Sequence, residues 1–245
     1  MIAEIKAEFR KLYTIRSTYV IVGLSLALVI FLTFYIEGIK NAIPSSHDPH
    51  RLASEIIGAV QTVSFILTMV GLLLVTHEYR YNTIMYTLTA SNSRTKTLLA
   101  KFLVISVFVL TFSALFATIA PILTYSGLHF VKGLGLVHQD VAWSSIVWRS
   151  LFYSWGYGMI GLLLSVLLRN QVAAIAALFL IPSTIEPLLG MILKHDIVYL
   201  PFSSINAVTT KGAISYAHAA MVFGLYLVVG WVVAWVLFLR RDATN

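Results

Sequence analysis

His77-Glu78-Tyr79-Arg80-Tyr81-Asn82-Thr83, running on through Thr89-Ala90-Ser91-Asn92-Ser93-Arg94 to Lys101, is a polar island between two long apolar runs. It is too short to be a domain. It carries Glu78, Arg80, Arg94, Lys96 and Lys101 around a moderately apolar centre, Ile84-Met85-Tyr86-Thr87-Leu88. A short, basic, helical loop bounded by apolar runs of about twenty residues belongs to a chain that crosses a membrane more than once. On one side of that membrane, such a loop is placed to touch something.

The composition agrees. Of 245 residues, 59% are hydrophobic and only 11% charged, where soluble domains carry roughly a quarter charged residues to cover their surface. Six runs are long enough to cross about 30 Å of hydrocarbon as helices: residues 18–36, 56–76, 102–125, 146–168, 172–193 and 217–239. Backbone polar groups in lipid must be satisfied within the segment, which makes these runs helices. The short alternating strands of a membrane barrel are absent from the sequence. The expected fold is an all-α, six-span membrane protein forming a single transmembrane domain over residues 1–245.

Lysine and arginine set the orientation. The N-terminal segment (Lys6, Arg10, Lys11, Arg16), the 77–101 loop (Arg80, Arg94, Lys96, Lys101), Arg169 and Arg240-Arg241 fall on one side, against Glu4, Glu8, Glu78 and Asp242. The other side balances Lys40, Arg51, Lys132, Arg149, Lys194 and Lys211 with Glu37, Asp48, Glu55, Asp140, Glu186 and Asp196. The positive-inside rule makes the first side cytoplasmic and puts both termini there, in a cell membrane. The net charge of +7 then reports topology and attraction to anionic lipid headgroups, and gives no reason to invoke nucleic acid.

Residues 1–17 space Ile2, Ile5, Phe9, Leu12 and Tyr13 at helical intervals, with Glu4, Lys6, Glu8, Arg10 and Lys11 on the other side. This predicts an amphipathic helix lying in the inner interface. Near the outer end of the fifth span, Pro182 and Pro187 flank Glu186. The prolines predict a break in that span, with one or two short helices dipping back toward the membrane over 194–216. Glu186 is the only acid deep in a span, which makes it a candidate pathway or outer-gate residue together with Pro182 and Pro187. Water or a freed backbone N–H would satisfy it equally well. Arg149 reads as snorkelling to the outer interface. Small residues at helical spacing (Gly23 with Ala27; Ser154, Gly158, Gly161 and Ser165; Ala173 with Ala177) are candidates for close helix packing, within the bundle or between copies.

Catalytic chemistry is missing from the motifs. No G-x-x-x-x-G-K-[ST] nucleotide loop occurs. His77-Glu78 begins an H-E-x-x-H zinc motif, but Tyr81 stands where the second histidine is required. No G-x-S-x-G elbow is present. The outer histidines His47, His50, His129, His138, His195 and His218 lack ligand spacing, and the chain has no cysteine. The chain is therefore expected to be no enzyme and to carry no metal or cofactor.

Three stretches carry a resemblance. Glu8 through Arg16 has an E-x-x-K-x-x-x-x-R pattern, and Glu78-Tyr79-Arg80-Tyr81-Asn82-Thr83 followed by Ser93-Arg94 and Lys101 follows an E-x-x-x-G-T … S-R … K pattern. Pro182 through Pro201-Phe202 forms a broken fifth span. Together they resemble the membrane subunits of ABC-2 type (type V exporter-like) ATP-binding-cassette transporters over essentially the whole chain. Asn82 replaces the family's glycine, and asparagine also tolerates the left-handed backbone that such a turn requires. The resemblance implies a permease subunit, working as an exporter in a homo- or heterodimer. A separate ATPase, which supplies ATP and Mg, would dock on a coupling helix in the 77–101 loop. By that resemblance Glu78, Arg80, Asn82, Thr83, Ile84, Met85, Leu88, Arg94 and Lys101 are coupling residues, with Glu78 and Arg94 in charged contact and Ile84, Met85 and Leu88 as the apolar ridge. An ion-gradient-driven secondary transporter and a non-transporting scaffold or immunity protein are the rival readings.

Overall fold

The computed structural model describes residues 1–40, 49–91, 93–130, 143–210 and 214–240. The segments carrying His47, His138 and Lys211 lie outside the described residues, as does Arg241. Among the described residues all regular structure is helical: α1 (Ile2–Thr14), α2 (Arg16–Ile30), α3 (Pro49–Arg80), α4 (Ile84–Ala90), α5 (Arg94–Phe130), α6 (Trp143–Leu168), α7 (Gln171–Leu180), α8 (Glu186–Leu193), α9 (Pro201–Thr209) and α10 (Tyr216–Arg240). A wide π-type segment continues α2 over Phe31–Lys40, another joins α7 to α8 over Ile181–Ile185, and a tight 3-10 segment covers Lys194–Tyr199.

Among the described residues six stretches are long and apolar enough to span a membrane: Arg16–Ile36, Ala53–Arg80, Arg94–Gly127, Ser144–Leu168, Gln171–Tyr199 and Tyr216–Arg240. Each overlaps one of the six apolar runs. The second and third extend well past the apolar core of the run, because their polar ends pack on other helices and stay helical. The fifth span is not broken at its prolines, contrary to expectation. Pro182 and Pro187 each stand in the first turn of a helical segment, and the widened π turn accommodates the missing donor and the ring. The real interruption comes later, at Lys194, whose φ of 50° turns the chain out of the helix.

Burial separates an inner pair of spans from the rest. In the second and fourth spans 61% of the apolar window is inside the protein, against 17% in the first and fifth and 22% in the sixth. α3 and α6 are therefore the axis, and small residues let them touch. A Cβ on Gly161 would stand 2.9 Å from the Thr68 carbonyl oxygen, and one on Gly158 would stand 2.9 Å from Val109 of α5. The buried Ser154 hydroxyl meets Ser64 of α3 at 2.5 Å and Ser113 of α5 at 2.8 Å. Ser165 is buried beside its own helix, bonding the Leu162 carbonyl at 2.6 Å. The other small pairs look outward: Gly23 has nothing within 4 Å of an added Cβ, and Ala27 and Ala173 are exposed.

Candidate functional site

The site is built at the end of the bundle where the N-terminus, the 77–101 loop and the end of α10 meet. α3 stops there in a Schellman turn. The Thr83 N–H reaches back to the Glu78 carbonyl at 2.9 Å and the Asn82 N–H to Tyr79 at 3.3 Å. This geometry needs a left-handed residue at Asn82, whose φ is 54°. Asparagine bears that conformation better than other side chains, so the position answers physically to the glycine of the resemblance. The turn delivers the chain into α4.

Beneath α4 lies a four-charge cluster. Lys101 (1% exposed) bridges Glu8 and Glu78, each at 2.9 Å, from the first turns of α5. Lys11 bonds Glu8 at 2.6 Å and pairs with Glu78 as well. Thr87 of α4 donates to the same Glu78 oxygen at 3.3 Å. Burial by itself would depress the Lys11 ammonium; the carboxylates of Glu78 and Glu8 outweigh it and hold its pKa above the ordinary lysine value. Two carboxylates and two ammonium groups thus tie α1, α3, α4 and α5 at one point. Ser91 donates to Glu4 at 2.9 Å, joining the far end of α4 to α1, while Arg94 donates to the Leu239 carbonyl at 3.1 Å, joining α5 to the end of α10.

This placement redistributes the residues expected to face a partner. Glu78 and Lys101 are buried within the chain. Ile84 is 2% exposed, and Leu88 packs partly buried on the main core. Met85 (41%) and Tyr86 (76%) stand outward instead, with Thr89 also exposed. Arg80 is exposed and donates to Gln171 at 3.2 Å. In α1 the inward stripe is Ile5, Glu8, Phe9 and Leu12, while Ile2 and Tyr13 are exposed. Glu8 was expected on the polar face. Its i, i+4 spacing with Leu12 carries it inward, and Lys101, remote in sequence, makes that burial tolerable. Tyr86, Lys11 and Glu8 were missed as members of the site. Tyr86 was readable, since a helix that buries positions 84 and 88 must show 85, 86 and 89.

A second feature lies toward the opposite end. Glu186 is 3% exposed and accepts from the Phe202 and Ser203 backbone N–H groups at 2.7 Å each and from the Ser203 hydroxyl at 2.6 Å. It caps the N-terminus of α9 from another segment. Arg149, buried rather than snorkelling, donates to the Val208 carbonyl at 2.9 Å and to Thr209, and stacks on Tyr216 at 4.0 Å. A carboxylate at the N-terminus and a guanidinium at the C-terminus complement the dipole of α9 at both ends. The Glu186 carboxylate is thereby committed to holding a helix. Beside it, a cleft of about 360 Å³ opens between α3, α6 and the π turn, lined by Gln61, Thr62, Tyr153, Pro182, Ser183 and Asn206 among others. Pro182 is in that wall; Pro187 is exposed.

Residues 4–192, from α1 through nearly all of α8, match the model of a family described as ABC-2 family transporter protein. The chain belongs to that family. It is an ABC-2 type permease subunit, a multi-pass membrane protein whose family implies pairing with an ATP-binding subunit. No curated protein matches it significantly.

Proposed function

We propose that this ABC-2 permease subunit is an exporter half, dimeric with a second copy or a related permease and driven by a separate ATPase seated on α4. One observation carries the reading: α4 presents Met85 and Tyr86 outward while the buried Glu8–Lys11–Glu78–Lys101 cluster ties the same helix to α1, α3 and α5. A push on α4 therefore reaches three other helices without slack. ATP and Mg belong to the partner; closure of two such ATPases would tilt the bundles and switch access between them. The positive-inside asymmetry puts the α4 end in the cytoplasm. The cleft beside Gln61 and Ser183 offers polar groups where lipid would disfavour them, which suits a face turned to a pathway or a second copy. An ion-gradient transporter would need a free intramembrane acid, and Glu186 is engaged in capping.

The test separates docking from folding. Tyr86→Asp, on an exposed position, should leave the melting temperature unchanged and lower ATPase retention on affinity purification at least ten-fold, as expected for losing an aromatic anchor worth about 2 kcal/mol. Ile84→Asp should instead destabilise the protein itself, since it buries a charge. Full ATPase retention by Tyr86→Asp would overturn the docking assignment.

A further inference from the structure

The cleft beside the π turn puts polar side chains inside spans that are otherwise apolar. Gln61 and Thr62 belong to the second span and Ser183 to the fifth, while Asn206 joins them from α9. The rest of the lining is aromatic. Tyr153 and Tyr157, 5% and 4% exposed, lie with ring centroids 4.7 Å apart. Phe65 meets Phe179 edge to face at 4.7 Å and Tyr157 at 6.2 Å. All four rings line the cleft, and each is braced by another, so this wall is rigid. Gly58 also lines it and leaves room, with nothing within 4 Å of an added Cβ.

The polar groups of the cleft have a defined hydrogen-bonding character. The Thr62 hydroxyl donates to the Gly58 carbonyl at 3.0 Å and the Ser183 hydroxyl to the Phe179 carbonyl at 2.6 Å. With their protons engaged, both oxygens offer lone pairs. The Gln61 amide nitrogen bonds Thr209, which leaves its carbonyl oxygen as a third acceptor, and the Asn206 carboxamide both donates and accepts. No charged side chain is among the described residues that line the cleft, and the Glu186 carboxylate is already met by three donors. An anionic group would face acceptors here, and a cationic one would lie without a counter-charge. A hydroxyl donates and accepts at once. We infer that the cleft binds an uncharged sugar ring, free or carried on a lipid, with its hydroxyls on Thr62, Ser183, Gln61 and Asn206 and its C–H face on the aromatic wall. The volume of about 360 Å³ lies within the range of small-molecule sites. Reading the sugar as cargo rests on the proposed exporter function; its binding does not.

Photolabelling reads the site. The purified chain is reconstituted in vesicles and exposed to three diazirine-bearing alkyl probes that differ only in the head: β-glucoside, primary ammonium or sulfate. Labelled peptides are then mapped by mass spectrometry. The glucoside should label the cleft segments 58–65, 153–157 and 179–183 at least ten-fold more than either charged probe. Thr62→Val and Ser183→Ala, both at exposed positions, should each lower that labelling about five-fold, as expected for losing one hydrogen bond. Gly58→Leu should abolish it by filling open space, with the melting temperature and ATPase retention unchanged. Protection by methyl β-glucoside would assign a water-borne sugar, and protection by octyl β-glucoside alone a membrane-borne one; protection by neither would overturn the proposal. Equal labelling by the three heads, a preference for the ammonium or the sulfate, or a glucoside signal untouched by all three variants would overturn it too. Loss of glucoside labelling with full ATPase retention removes the sugar site and leaves the exporter reading standing; glucoside labelling without any ATPase retention does the reverse.

Discussion

Lys101 stands 1% exposed between Glu8 and Glu78. Removing its charge leaves two carboxylates buried with only Lys11, a third exposed, between them. Breaking a buried pair by deleting one partner costs about 3–5 kcal/mol, because the remaining charge stays desolvated. Lys101→Met should therefore lower the melting temperature of the detergent-solubilised protein far more than Lys11→Met, and adding Glu8→Gln should recover part of the loss. Equal effects of the two lysine variants would mean that the cluster is not organised around Lys101. Lys11 has a raised pKa, so its contribution is complete below the ordinary lysine value of about 10.4 and is lost only as pH rises through the folded value. Melting temperatures of the Lys11 variant and the parent should differ by a constant amount across neutral pH. Glu8 and Lys101 were hard to pair from sequence, since 93 positions separate them and nothing local distinguishes them from solvated charges.

α9 shows how a short helix is held in place by its neighbours. Nine residues make a marginal helix by themselves, and this one, Pro201–Thr209, is secured by Phe202, Ile205 and Val208 in the core and by charges at both ends. Glu186→Gln retains the shape but weakens three charge-assisted bonds, worth about 1.5–3 kcal/mol each at most. The expected consequence is looser docking of α9. Ser204 is fully buried, so Ser204→Cys should react slowly with a membrane-permeant thiol reagent and at least ten times faster when combined with Glu186→Gln. An unchanged rate would show that the cap does not hold the helix. The sequence announced the importance of Glu186 by placing an acid in an apolar run; two of its three donors are backbone N–H groups, and backbone donors leave no trace in composition.

The bundle has an axis and several open sides. α2 and α7 both pack on α3; beside α7, with its outward Ala173, a cleft exposes Thr62 and Ser183. Polar side chains exposed within spanning helices are disfavoured against lipid, so this side is the one a second permease should cover. Single cysteines at Thr62 or Ala173 in this cysteine-free chain should form disulfide-linked dimers in native membranes, whereas one at Val107, on an exposed face of α5, should not. Cross-linking confined to Val107 would move the dimer to another side of the bundle. The groove with three tryptophans lies elsewhere, between α5, α6 and α10.

Hydrophobicity by itself determined the class of this protein and the number of its spans, because a run of about twenty apolar residues has one stable form in a bilayer. The polar island at 77–101 carried its helix and its turn in local chemistry, down to an asparagine at the left-handed position. The tertiary structure alone decided which charges are buried and which side chains are presented. Glu8, Glu78, Lys101, Glu186 and Arg149 look alike as solvated or pathway charges until distant segments meet them. An ionised group is buried only where its counter-charge or a backbone dipole is brought within hydrogen-bonding distance, and that distance is a property of packing.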